Sequence, residues 1–289
     1  MESPGPGADS GAVTQTLDLR AQEAAVAAAA DRLRAAAASG VPCAPVRDLI
    51  GSADIALAYA VQERVNRART AAGARVVGRK VGLTSAAVQA QLGVDRPDLG
   101  VLFADMEHDA AWPVRDPRLI QPKVEAEVAF VLGEDLVEGD LGIDRVRTAV
   151  DHAVAAIEIC DSRVAGWDIT FGDTVADNAS AGGYVLGDVR RPLAGLDPAS
   201  VRMRMTVTGQ EDSSGTGADC LGDPLVALQW LARQARDLGD PLRAGQVVLS
   251  GALGPMRPVT PGAEVHVEIT GLGAITIRMG SPDPHEQES

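Results

Sequence analysis

The chain has 289 residues, 46% of them hydrophobic and 23% charged, enough to bury a sizeable core in one large domain or two modest ones and to exclude disorder of the whole chain. Forty acidic against 26 basic residues give a net charge of -14, which excludes a general nucleic-acid binder, because phosphate contact needs a concentrated positive surface, and favours small-molecule chemistry. Three cysteines, Cys43, Cys160 and Cys220, lack any C-x-x-C spacing, so they suggest neither a disulfide framework nor a thiolate zinc site and fit a reducing cytoplasm.

In chain order, residues 1–15 read as a flexible tail, polar and rich in Gly, Pro and Ser, with neither the basic n-region nor the apolar h-region of a signal peptide. From Leu19 to Ser39 alanine, leucine and mixed charges predict a helix ended by Gly40 and Pro42; Glu23, Asp31, Arg32 and Arg34 interrupt it too often for a membrane span. Ser52 is a plausible N-cap for a second helix carrying Ile55, Leu57, Ala58, Val61 and Val65 and ending before Gly73. Together these form an N-terminal helical unit over 16–73.

Beyond it, β-branched runs with glycine punctuation predict strands at Arg75–Leu83, Val124–Leu132, Tyr184–Leu186, Met203–Thr208 and Gln246–Leu249. The closing runs Glu264–Thr270 and Ala274–Arg278 are joined by Gly271-Leu272-Gly273 as a hairpin. Helices are expected at Ser85–Leu92, Ile143–Val150 and Pro224–Leu238. The strands are not separated by regular helices, so the expectation is an α+β domain over 74–280, followed by a second flexible tail over 281–289.

The most informative run is Gln121-Pro122-Lys123-Val124-Glu125-Ala126-Glu127-Val128. Side chains on a strand alternate faces, so Glu125 and Glu127 share one side while Val124, Ala126 and Val128 share the other. Two adjacent carboxylates raise each other's pKa and cost stability unless a cation neutralises them, which suggests a hard divalent ion; the alternative is a solvated strand face. Ala153–Cys160 is an apolar strand with Glu158 inside it. A buried carboxylate needs a partner, either an arginine such as Arg163 or a metal shared with the E-x-E pair. Asp173–Gly183 is dense in small hydrogen-bonding residues and glycine, as expected where backbone approaches a ligand, though alone it is a polar loop. Lys80 sits in Gly78-Arg79-Lys80-Val81-Gly82, which is not a P-loop. His108 and His152 have no metal-ligand spacing and read as structural, and no G-x-S-x-G elbow or dinucleotide fingerprint is present.

Six segments taken together resemble the 2-keto-4-pentenoate hydratases of the fumarylacetoacetate hydrolase superfamily. They are Gly78–Thr84, Leu102–Met106, Gln121–Glu127, Asp173–Ser180, Cys220–Pro224 and Gly251–Met256, in order over about residues 50–278. The resemblance implies a mixed, rolled sheet around one Mg²⁺ or Mn²⁺ held by Glu125, Glu127 and Glu158. It further implies candidate catalytic residues Lys80 and Asp98, and a substrate pocket lined by Ser180, with Asp105 and Gln121 as further pocket candidates. The implied reaction adds water to 2-hydroxypenta-2,4-dienoate to give 4-hydroxy-2-oxopentanoate, a step in the meta-cleavage degradation of aromatic compounds. The implied partners are the small 2-oxo or 2-hydroxy dienoic acid itself, further copies of the chain in a pentamer-based homo-oligomer, and a related decarboxylase or downstream aldolase. No nucleic acid and no membrane is expected, and the cytoplasm is the expected location.

The rival readings are a 2-oxo-3-hexenedioate (4-oxalocrotonate) decarboxylase, which needs room and a cation for a second carboxylate, and an acylpyruvate-type carbon–carbon hydrolase. The hydrolase would need a general base such as an early His-Glu pair, and His108 is the first histidine in the chain. A non-enzymatic calcium protein with a closed coordination shell is the third. A proton-shuttling Lys80 would be expected to have its pKa lowered by burial. The aromatic fraction of 3% fits a small aliphatic acid better than a large ring.

Overall fold

The structure is a computed structural model that describes residues 10–52, 54–85, 89 and 94–280. The expected tails therefore lie outside the described residues at 1–9 and 281–289, as does most of the helix expected at Ser85–Leu92. Residues 10–15, expected as tail, are helical: α1 runs Ser10–Ser39, with α2 at Arg47–Ile50 and α3 at Ile55–Ala71. The cap of α3 is Asp54 rather than Ser52, its carboxylate accepting from the Leu57 amide at 3.0 Å. The rest follows as β1 Val76–Gly82, β2 Asp98–Phe103, β3 Lys123–Leu132, α4 Ile143–Ala149, β4 Val150–Cys160, α5 Phe171–Ala176 and β5 Ala181–Leu186. Then come β6 Arg202–Val207, β7 Ser213–Thr216, α6 Pro224–Asp237, β8 Val247–Ala252, β9 Arg257–Pro258, β10 Glu264–Ile269 and β11 Gly273–Arg278.

The main sheet is mixed, in the order β2-β1-β8-β3-β4-β5, with β9 pairing β3 and the one parallel pair at β1 and β8. Its edge strands β2 and β5 come back into contact, so the sheet curls. Alternation along the strands divides two surfaces. The outward set, Val124, Ala126, Val128, Ile157 and Ile159, packs on α6 and on the second sheet, β11-β10-β6-β7, through residues such as Leu228, Leu231, Met205 and Val267. The inward set is apolar at one end, where Ala129, Val154, Ala156, Leu249 and Phe103 meet. At the other end the same faces carry Lys80, Glu125, Glu127 and Glu158.

The helical unit is not self-sufficient. Ala29, Ala30, Leu33, Ala58 and Val61 complete their core only with Val164, Phe171, Val175 and Ala176, which belong to the segment after β4. Asp173 fastens this contact, its two oxygens accepting from the Val46 and Arg47 amides, the Arg47 guanidinium, and the amide and hydroxyl of Thr170. Placing α5 against the helices also fixes the turn that follows it, and that turn closes the polar end of the curl.

Candidate metal centre

Register alone builds the centre. In the β3–β4 ladder Glu125 lies directly opposite Glu158, Glu127 opposite Ala156 and Lys123 opposite Cys160. Period two then puts Glu125, Glu127, Glu158 and Cys160 on one inner face. Lys80 arrives on β1, and Asp98 is paired with Gly82 across β1 and β2. Asp98, Glu127, Glu158 and Lys80 are all buried, while Glu125 is part-exposed at the rim. Of the two alternatives for the E-x-E pair, the solvated strand face is excluded. Arg163 is not the partner of Glu158 either; it is committed to Asp177 and to the Ala181 carbonyl.

Lys80 Nζ stands 3.1 Å from Glu158 Oε1 and donates to the Ala179 carbonyl at 2.9 Å. Ala179 sits in an unusual turn: Asn178, Ala179 and Ser180 have φ of 55°, 52° and 53°, three consecutive non-glycine residues in the left-handed region. Such residues cost of order 1 kcal/mol each, so the turn persists because its surroundings enforce it. Asn178 is held by both backbone groups of Val101 and by Asn66, and the result is a carbonyl aimed at the ammonium. Ser180 Oγ lies 3.3 Å from Thr174 Oγ1, which reaches Asp98 Oδ2 at 3.5 Å, so a chain of hydroxyls leads to the acid. Gly82 is required beside it, because a Cβ there would overlap Asp98 Oδ1.

Burial opposes the charge on Lys80, yet the attraction of Glu158, Cys160, Asp98 and Glu125 outweighs it and holds the lysine well above its ordinary pKa. This reverses the lowering expected from burial alone: the group is a held ammonium. The acids move the other way. Burial and then Glu158 push Glu125 up to about 7, and burial with Glu158 and Glu125 raises Glu127 well above the ordinary value. Burial raises Asp98 too, against the pull of Lys80.

Four carboxyl groups thus face one ammonium, and their hydrogen bonding is incomplete. Glu127 Oε2 accepts from the Gly251 amide at 2.8 Å, but Glu127 Oε1, Glu158 Oε2 and Asp98 Oδ1 have no hydrogen-bond partner although they are buried, and Glu158 Oε1 has only the ion pair with Lys80. A buried carboxylate oxygen left without a donor costs free energy that a cation in the same space would recover, so the donor set fits a divalent ion.

Two candidates stand elsewhere. Asp105 is exposed, pairs with Arg69 and Arg118, and lines a cavity of about 910 Å³. Gln121 saturates backbone groups, donating to Ser162 and Val164 and accepting from Gly166, at the edge of a cavity of about 670 Å³. Neither cavity is lined by Lys80 or by any of the three glutamates. Sequence reasoning did not place Thr174, the Ala179 carbonyl or Cys160 in the centre. Cys160 was accessible from the period-two rule, being two residues beyond Glu158.

Residues 75–279 match the family described as fumarylacetoacetate (FAA) hydrolase C-terminal. A TodF product hydratase from Pseudomonas putida is 52% identical over 256 residues, 89% of this chain and 96% of that one. A 2-keto-4-pentenoate hydratase from Paraburkholderia xenovorans is 50% identical over 247 residues, 86% and 92% of the two chains. Among solved structures, a 4-oxalocrotonate decarboxylase from Pseudomonas putida, complexed with magnesium and adipate, superposes with a TM-score of 0.83 at 31% identity, covering 88% of this chain and 97% of that one.

Proposed function

This chain belongs to the fumarylacetoacetate hydrolase family, and from that premise we propose that it is a divalent-metal-dependent hydro-lyase that hydrates 2-hydroxypenta-2,4-dienoate to 4-hydroxy-2-oxopentanoate. The observation that carries the reading is the carboxylate trio, Glu127 and Glu158 buried with oxygens lacking hydrogen-bond donors and Glu125 at the rim, facing a held lysine ammonium, in a chain about half identical to 2-keto-4-pentenoate hydratases. Glu125, Glu127 and Glu158 hold the ion, with Mg²⁺ or Mn²⁺ as the proposed occupants. Bound there, the ion supplies electrophilic polarisation of a 2-oxo acid and offsets enolate charge.

The remaining work falls to the chain. Lys80, pinned between Glu158 and the Ala179 carbonyl, fixes a positive charge where the dienolate carries its negative one. Asp98, buried beside Lys80 and in line with Thr174 and Ser180, is the acid that relays a proton to the terminal carbon as the 2-hydroxyl proton leaves to solvent, which gives the α,β-unsaturated 2-oxo acid. Water then adds at the carbon conjugated to the 2-oxo group. Ser180 and Thr174 orient the substrate or the water through their hydroxyls.

A 2-oxo-3-hexenedioate decarboxylase would need a cation for the distal carboxylate. Of the neighbouring cations, Arg163 is committed to Asp177, and Lys123 stacks over the Trp167 ring at 4.1 Å. The 50% identity to a 2-keto-4-pentenoate hydratase, against 31% to the decarboxylase, favours the mono-acid. Metal-stripped protein restored with Mg²⁺ or Mn²⁺ and offered each acid separately tests the assignment. Metal-dependent loss of the diene with formation of 4-hydroxy-2-oxopentanoate is expected; carbon dioxide from the dioic acid alone would overturn it in favour of the decarboxylase.

A further inference from the structure

Cys160 lies inside the carboxylate cluster and is not used by the chemistry above. Strand parity puts its side chain on the face of Glu158, diagonal to Glu125. One ligand atom each from Glu125, Glu158 and Cys160 lie within 4.8 Å of one another, and Glu127 is not part of that group. Three atoms bound tetrahedrally to one ion at about 2.0–2.3 Å lie about 3.3–3.8 Å apart, so a closing movement of at most about 1.5 Å lets all three reach a common centre. Glu158 is buried, and although its Oε1 faces the Lys80 ammonium its Oε2 has no donor, so that oxygen is available to such a centre. The thiol is buried and its hydrogen bond goes to Glu125, within the cluster itself, whereas that of Cys220 is committed to the Ser250 carbonyl at 3.1 Å and Cys43 lies at the edge of the helical unit.

We propose that Cys160 turns this centre into one with two overlapping donor sets: a hard ion takes the carboxylates of Glu125, Glu127 and Glu158, and a thiophilic ion takes Glu125, Glu158 and the Cys160 sulfur. The inference rests on the reading that the glutamates hold a divalent ion. Oxygen-only coordination suits Mg²⁺ and Mn²⁺, while Co²⁺, Zn²⁺ and Cd²⁺ gain from a thiolate. In the second set a sulfur lone pair forms the metal–sulfur bond and the thiol proton passes to solvent, with no change of oxidation state. The ion is then drawn toward the rim, away from Glu127 and the Gly251 amide. Choice of metal in this protein is therefore set by which end of one strand face the ion occupies.

The test titrates the metal-free full chain with Mn²⁺, followed by its paramagnetic signal, and with Co²⁺ and Cd²⁺, followed by sulfur-to-metal charge-transfer absorption. A band saturating at one equivalent is expected in the unsubstituted protein and in C43S and C220S. C160S is expected to lose the band and at least about tenfold of its Cd²⁺ affinity while Mn²⁺ affinity holds within about twofold. E127Q provides the reciprocal arm and leaves the sulfur in place: it should weaken Mn²⁺ and keep the band. Mn²⁺ and Cd²⁺ binding without a band, a band that survives in C160S, or one lost in E127Q overturns the proposal and leaves the carboxylate site standing. Failure of every ion to bind overturns both.

Discussion

Two acidic clusters stand on either side of the left-handed turn at Asn178–Ser180, and they are built on opposite terms. Toward the helical unit, Asp173 accepts five hydrogen bonds, and Asp177 takes the Arg163 guanidinium and amide together with the Ser162 hydroxyl. Toward the sheet, Glu127, Glu158 and Asp98 are as deeply buried, yet each keeps at least one oxygen without a donor. Burial and acidity are common to both clusters; satisfaction is not. The first cluster joins the helical unit to the sheet, and the second stores an unmet demand for positive charge that a ligand can fill.

The sharpest way to break this comparison is at Lys80, the one cation the second cluster already owns. Lys80→Met keeps the stem and removes the charge, and turnover is expected to fall by about 10²–10⁴-fold with Mn²⁺ binding retained. Steady-state kinetics beside a direct metal titration reads both, and full activity would remove Lys80 from the chemistry. The opposite pattern is expected across the turn. Asp177→Ala strands the half-buried Arg163 guanidinium and should cost about 3–5 kcal/mol in urea unfolding, with the metal site affected only through the loss of folded protein.

Glu127→Gln separates the clusters further, because it removes a charge that the metal-free fold does not want. Stability of the metal-free protein is expected to rise by about 1–3 kcal/mol while affinity for Mn²⁺ drops about 10–100-fold. The same logic sets a pH dependence. A carboxyl whose folded pKa lies above its unfolded value holds its proton more tightly when folded, so the stability it contributes is present at low pH and is lost as pH rises. For Glu125 that window runs from its ordinary value of 4.5 to about 7. Thermal unfolding of metal-free protein should therefore show a falling contribution across this interval, and Mn²⁺ in excess should reverse its sign, since the ion binds the ionised form and competes with protons.

Much of this was legible in the sequence where a period carried the information. The β3 alternation gave the correct face to Glu125 and Glu127 and to Val124, Ala126 and Val128, and the lone glutamate in an apolar strand pointed to Glu158. The fold class followed from strand-rich texture without regular crossover helices. What was not legible depends on contacts distant in sequence. Asp173 and Asp177, read as part of a ligand-approaching loop, are structural fasteners because Arg47 and Arg163 reach them from other segments. β2, whose Asp98 and Leu99-Gly100-Val101 look like a loop after a proline turn, becomes a fully buried strand because β1 pairs with it and the turn at Asn178 packs across Gly100. The direction of the Lys80 shift in the metal-free protein was not legible for the same reason, since burial is visible in a sequence pattern and four acidic neighbours from three strands are not.

The smallest effect is expected at Asp105, and it tests whether satisfaction is the right criterion. This residue belongs to the motif Leu102–Met106 and lines the larger cavity, so cavity volume and motif membership both nominate it. Its side chain, however, is 49% exposed and already holds Arg69 at 2.8 Å together with Arg118. Exposed ion pairs contribute about 0.2–1 kcal/mol, so Asp105→Asn should shift unfolding by no more than that and leave kcat and KM within about twofold. Asp98→Asn, with an oxygen lacking a donor beside Lys80, should cut kcat by about 10²-fold without changing metal affinity. A loss at Asp105 as large as that at Asp98 would mean that substrate reaches the centre through the arginine-lined cavity, and that a fully paired carboxylate can still carry function in this fold.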